Sequence, residues 1–127
     1  MASVQDERQQ PTMTVEQQYQ QGFEYRCRGE YGLAKEALNE VLRLDPSHIK
    51  AKWQLALIKG FEGDYDGSLE GLREVATLAP DDTEIRYDYA MTLTMLGEYA
   101  LAESEFREVL RMNPNHDKAK QQLAYFK

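Results

Sequence analysis

The chain has 127 residues, 42% of them hydrophobic, which allows one domain or a short repeat array with a packed core. No run reaches the roughly eighteen apolar residues of a membrane span, and Met1–Met13 lacks the basic start and apolar middle of an export signal, so a soluble, cytoplasmic protein without membrane insertion is expected. The net charge of −7 is local, since thirteen acids face only Arg73, Arg86 and Arg107 between Glu62 and Glu108; that balance disfavours nucleic acid, and the lone Cys27 excludes an internal disulfide or a zinc site built on paired cysteines.

Residues 1–13, polar and containing Gln9, Gln10 and Pro11, read as a disordered tail. Thr14 then stands where an N-cap is wanted, with Gln17 at capping-box spacing, for a helix that Gly29 ends in the left-handed conformation glycine adopts freely. Glu30 favours the positive end of the next helix, which Pro46 closes because it has no N–H to continue the hydrogen-bond ladder. Ser47 is the next expected N-cap. It precedes a helix with Trp53, Leu55, Ala56, Leu57 and Ile58, then Gly63 and Asp64, then a helix with Leu69, Leu72, Val75, Ala76 and Leu78 that stops at Pro80. Neither apolar set alternates with period two, so both read as helix.

Asp81 or Asp82 caps the following helix, with Asp81 and Glu84 at capping-box spacing, and Gly97, Glu98 and Pro114 repeat the earlier punctuation. Asn115 is the last expected cap. Residues 117–127 restart the first-helix pattern with Ala119, Leu123 and Ala124 while turning Lys118, Lys120, Gln121 and Gln122 outward, as a capping helix does. Gly60, Gly67 and Gly71 lie in or near helices at a cost of about 1 kcal/mol each relative to alanine, which makes the middle unit the expected weak link.

Pro46, Pro80 and Pro114 recur every 34 residues, and so do Gly29, Gly63 and Gly97; Tyr31, Tyr65 and Tyr99; Leu38, Leu72 and Phe106; and Val41, Val75 and Val109. Small residues follow the same interval at Gly22, Ala56 and Ala90 and at Ala34, Ser68 and Ala102. On these residues the sequence resembles the tetratricopeptide repeat family, whose unit is an antiparallel helix pair of 34 residues. The resemblance implies an all-α, right-handed α-solenoid of three helix pairs, over about 15–48, 49–82 and 83–116 within 14–116, plus the C-terminal capping helix. The family's large residue near the start of each first helix is displaced by one, to Tyr19, Trp53 and Tyr87.

The resemblance also implies a hollow lined by the first helices. Its groove positions are Tyr19, Gln20, Phe23, Arg26 and Cys27 in the first unit; Lys50, Trp53, Gln54, Leu57 and Phe61 in the second; and Glu84, Tyr87, Asp88, Met91 and Met95 in the third. Aromatic and aliphatic columns side by side suit an amphipathic helix or an extended apolar peptide, although Leu57 and Met91 serve equally well as packing between neighbouring helices. Trp53 leans towards ligand contact. Where some family members carry a basic and amide clamp for the acidic tail of heat-shock chaperones, this chain has Tyr19, Phe23, Gln54, Glu84 and Asp88, which would repel such a tail. Glu84 and Asp88 with Asp81 and Asp82 suggest instead a partner with Lys or Arg near the third unit, against the plainer reading of a solvated acidic face.

His48 and His116 lack metal-ligand spacing, and no nucleophile triad or phosphate-cradling glycine loop is present, so neither an enzyme nor a cofactor is expected. The leading expectation is a protein–protein interaction adaptor that binds a partner peptide. The alternatives are a homo-oligomeric building block and a secretion-type chaperone for a client segment.

Overall fold

A computed structural model describes residues 12–126, so the expected tail at 1–13 lies outside the described residues apart from Thr12 and Met13, as does Lys127. Among the described residues the chain is all helical: α1 Val15–Cys27, α2 Tyr31–Leu44, α3 Ile49–Phe61, α4 Tyr65–Leu78, α5 Thr83–Met95, α6 Tyr99–Met112 and α7 Asp117–Ala124. They fall into two compact units, one with α1 and α2, and one from His48 onward with α3 to α7. Within each unit every helix packs on the next in sequence.

The second helix of each pair buries a single stripe at i, i+4 and i+7: Ala34, Leu38 and Val41 in α2, Ser68, Leu72 and Val75 in α4, Ala102, Phe106 and Val109 in α6. That spacing puts three side chains on one face of a 3.6-residue helix and leaves the other face to solvent. Helix α3 is buried on more than one side, through Ala51, Gln54, Ala56 and Ile58. In the second unit, Ala56, Leu72, Val75, Ala76 and Ile85 make one core cluster with Trp53 and Leu57 against it, and Ala90, Leu93, Ala102, Phe106, Val109 and Ala119 make another with Tyr87 and Met91 against it.

Each turn inside a pair has the same build. Gly29, Gly63 and Gly97 sit at φ of 78°, 93° and 80°, left-handed values that cost a side chain dearly. The residue after each glycine donates its N–H back to the carbonyl five positions earlier, as Glu30 does to Tyr25 at 2.9 Å, Asp64 to Lys59 at 2.8 Å and Glu98 to Leu93 at 2.9 Å, which satisfies carbonyls the helix end would otherwise strand.

The caps between pairs differ from the expectation at two places. Thr14 and Gln17 do form a capping box. At α3, however, the cap is His48, whose Nδ1 accepts the Ala51 N–H at 3.1 Å, while Ser47 turns back to Asp45. At α7 it is His116, whose Nδ1 accepts the Ala119 N–H at 3.2 Å, while the Asn115 N–H goes to Asn113. Asp82 rather than Asp81 caps α5, accepting from Glu84 and Ile85. The expected caps stand one residue too early, inside the tight turn after each proline, where Asp45 and Asn113 already hold them.

The glycines of the middle pair also differ from a simple cost. A Cβ on Gly71 would stand 2.8 Å from the Cβ of Ala56, and one on Gly60 would stand 3.0 Å from Ser68 Oγ. Both lie where α3 and α4 approach closely, so they bring the two backbones together.

Candidate functional site

In the second unit, the C-terminal half of α3, the first turn of α4 and the length of α5 enclose an open groove of about 430 Å³. Leu57 and Phe61 come from α3, Tyr65 and Ser68 from α4, and Tyr87, Asp88, Met91 and Met95 from α5. Gly60, which has no side chain, and the small Ser68 also line it. Leu57, Tyr87 and Met91 are half-buried, each with one side against the core. Phe61 and Met95 form the rim and are 56% and 61% exposed, a large apolar exposure for two side chains on one edge.

Six of the residues that the resemblance assigned to the hollow therefore come together here: Leu57, Phe61, Tyr87, Asp88, Met91 and Met95. The others of the same unit go elsewhere. Trp53 does not line the groove; its ring packs against the Ala56, Leu72 and Ile85 cluster, and its indole N–H donates to Asp88 Oδ2 at 2.9 Å. Placement one position past the usual packing residue leaves this side chain half-buried, with its ring against that cluster and its N–H on Asp88. Gln54 is only 2% exposed and belongs to the interior, while Lys50 is exposed on the first turn of α3.

Glu84 sits one turn before Asp88 and meets His116 Nε2 at 2.8 Å. Because His116 Nδ1 already accepts a backbone N–H, Nε2 is the protonated nitrogen and donates to Glu84. The imidazole is buried and stacks on Tyr87, with ring centroids 5.1 Å apart and planes at 29°. Asp82 is held by the α5 cap, so the four acids read together in the sequence separate: Asp82 caps, Glu84 anchors His116, Asp81 is exposed, and only Asp88 reaches the groove. Burial first, then the charges of Asp88 and Glu84, holds the Tyr87 phenol above its usual range.

In the first unit Tyr19 is buried, Phe23 is half-buried with its ring centroid 6.3 Å from that of Tyr19, and Gln20 is exposed. The Arg26 guanidinium lies over the Phe23 ring at 5.2 Å and reaches the exposed Cys27 Sγ at 3.8 Å.

The sequence reading missed Gly60, Tyr65, Ser68 and Thr92 as groove residues. Tyr65 was visible only as a repeat column. The signal that would have found it is the turn at Gly63 and Asp64, which folds the first residues of α4 back beside the end of α3.

No helix among the described residues is long and apolar enough to cross a membrane, and no group of three or more His, Cys, Asp or Glu among them is placed to hold a metal ion. Two family models described as tetratricopeptide repeat match the chain, at residues 62–124 and 18–48. No curated protein sequence matches it. Among solved structures it is similar to MamA AMB-1, with 25% identity and a TM-score of 0.73 over 89% of this chain, which spans 62% of that chain's length. It is also similar to the first TPR of Spaghetti (RPAP3) bound to the HSP90 peptide SRMEEVD, with 16% identity and a TM-score of 0.80 over 87% of this chain and 90% of that one. An O-GlcNAc transferase mutant of Thermobaculum terrenum shares the fold at 20% identity and a TM-score of 0.79, over 88% of this chain but 22% of that one. The 34-residue interval, the glycine turns, the three helix pairs and these matches agree, and the chain belongs to the tetratricopeptide repeat family.

Proposed function

We propose that the chain is a non-enzymatic protein–protein interaction scaffold whose second unit receives a peptide or amphipathic helix of a partner in the groove between α3 and α5. The observation that carries this reading is the rim of Phe61 and Met95, both mostly exposed, above a wall of Leu57, Tyr87 and Met91. Folding alone gives no reason to leave that much apolar surface in water, and burying it beneath a guest gains about 25 cal/mol per Å². The methionines adapt to different guest shapes, while the aromatic rings anchor with little rotamer entropy to lose.

The RPAP3 complex supports a peptide as the kind of guest this fold accommodates. Its acidic peptide is a poor model for the guest here, because Asp88 stands in this groove and Glu84 beside it. The test is selection of random twelve-residue peptides against the immobilised protein, followed by titration of the selected peptides into wild type and into Phe61→Ser/Met95→Ser. Both changes lie on the exposed rim, so the fold is retained. Loss of roughly tenfold or more in affinity is expected, equivalent to about 1.4 kcal/mol; equal binding to both proteins sinks the reading.

A second reading is self-association. It is favoured by Tyr99, Leu101 and Tyr125, which are all exposed, the last at 81%. Light scattering over a range of concentrations separates it from the first, since a strict monomer at high concentration rejects it.

A further inference from the structure

The groove has a counterpart one repeat further along. A second hollow of about 480 Å³ is lined by Thr94 near the end of α5, Tyr99 at the start of α6, and Gln122, Tyr125 and Phe126 on and just after α7. Subtracting the 34-residue interval from these five positions gives Gly60, Tyr65, Asp88, Met91 and Thr92, all of which line the first groove. The hollow therefore belongs to the junction between successive first helices, and both examples lie in the second unit with α5 lining each of them. Their chemistry differs. Where the first has Met91 and Thr92, the second has Tyr125 and Phe126, and the place of Asp88 is taken by the uncharged Gln122. The Phe126 ring centroid lies 6.0 Å from that of the buried Phe106 and 6.3 Å from that of Tyr99, which fixes one wall against the core. Tyr99 and Tyr125 are mostly exposed.

From this recurrence we infer that the partner is a single segment with two large apolar side chains, the first seated among Leu57, Phe61 and Met95 and the second among Tyr99, Tyr125 and Phe126, its backbone crossing the C-terminal end of α5. The inference rests on the reading that the groove receives a partner segment, and it adds a second anchor site and the two-part pattern of the segment. Because α5 lines both hollows, their separation is of the order of one helix diameter, about 10–12 Å, whereas twelve extended residues reach about 40 Å. One segment spans both, and its second anchor binds without a second loss of translational freedom. A second copy of the chain is the poorer occupant. It would bring another net charge of −7 to a unit in which thirteen acids face three arginines between Glu62 and Glu108, and a net charge of one sign keeps chains apart.

The peptide selection described above also tests this, with Tyr125→Ser as the added variant, a change at an exposed side chain. The expected result is peptides with two large apolar residues, each of which costs roughly tenfold in affinity when replaced by alanine. Y125S should weaken the parent peptide by a similar factor. One of the two alanine versions should no longer respond to Y125S while still responding to the Phe61 and Met95 changes, because groups in contact are coupled and distant ones are not. The alanine exchanges leave the protein untouched, so selected peptides with only one essential apolar residue overturn the inference even where Y125S is poorly folded. Peptides that lose affinity with the Phe61 and Met95 changes but bind wild type and Y125S alike overturn the second anchor and leave the groove standing. Peptides indifferent to the Phe61 and Met95 changes overturn both. If light scattering shows an oligomer for wild type and a monomer for Y125S, a second copy is the occupant and the inference fails.

Discussion

The indole N–H of Trp53 donates to Asp88 at 2.9 Å, joining side chains 35 positions apart on α3 and α5. The bond ties the first helices of successive pairs at the edge of the groove, and it explains why the largest side chain in the repeat column is a structural member of the unit.

Replacing Trp53 by Phe keeps most of the ring and deletes the donor. Asp88 then loses a hydrogen bond in a half-buried setting, which costs about 1–3 kcal/mol. Asp88→Asn should cost less, because an acceptor remains. Urea unfolding of the two variants, followed by circular dichroism, checks the order; W53F as stable as wild type would mean that water replaces the indole freely.

The close approach of Gly71 to Ala56 reverses the usual expectation for a helix glycine. Glycine to alanine in a helix interior ordinarily gains about 1 kcal/mol. At Gly71 the added Cβ would meet the Ala56 Cβ at 2.8 Å, and overpacking of that kind costs roughly 1–3 kcal/mol, so G71A should be neutral or destabilising. Gly32, with nothing within 4 Å of its Cβ position, should gain from the same change. Adding Ala56→Gly to G71A should recover stability. An additive double mutant would show that the two sites do not touch.

His116 should be held as the Nε2–H tautomer, since Nδ1 accepts from Ala119 and Nε2 faces Glu84. Long-range nitrogen–carbon NMR correlations of the ring report this directly, and a protonated Nδ1 at neutral pH would contradict it. Removing the ring by His116→Ala deletes the cap of α7, its bond to Glu84 and its stack on Tyr87; loss of the cap alone costs about 0.5–2 kcal/mol. Amide exchange over Asp117–Ala124 should accelerate while exchange in α1 is unchanged.

The repeat and its turns were legible because they rest on local chemistry. A glycine at φ near 80° and a proline after a helix leave the same trace in sequence wherever they occur. The caps were misplaced by one because Ser47 and Asn115 have the usual capping chemistry, whereas His48 and His116 cap through a ring nitrogen that sequence reading assigned no role. Gly71 read as a cost because its partner Ala56 lies on another helix. The site was less legible for a related reason. Asp82, Glu84 and Asp88 look alike as a run of acids, and only the helix phase and the contacts of Trp53 and His116 separate the cap, the anchor and the groove residue.

Tyr87 links the site to pH. Its phenol is neutral when protonated, and burial foremost, with Asp88 and Glu84 adding to it, raises its pKa in the folded chain. In the unfolded chain the pKa is about 10. Between that value and the higher folded one the native state binds the proton more tightly, so stability is intact below about pH 10 and falls as pH rises through the folded pKa. Tyr87→Phe has no proton to lose and should escape this part of the alkaline loss. Other tyrosines and lysines titrate in the same range, so the measurement is a difference: urea midpoints of wild type and Y87F at pH 9 and pH 11. The gap should shift in favour of Y87F at the higher pH, and two midpoints that fall in parallel would show that the phenol is no harder to ionise folded than unfolded.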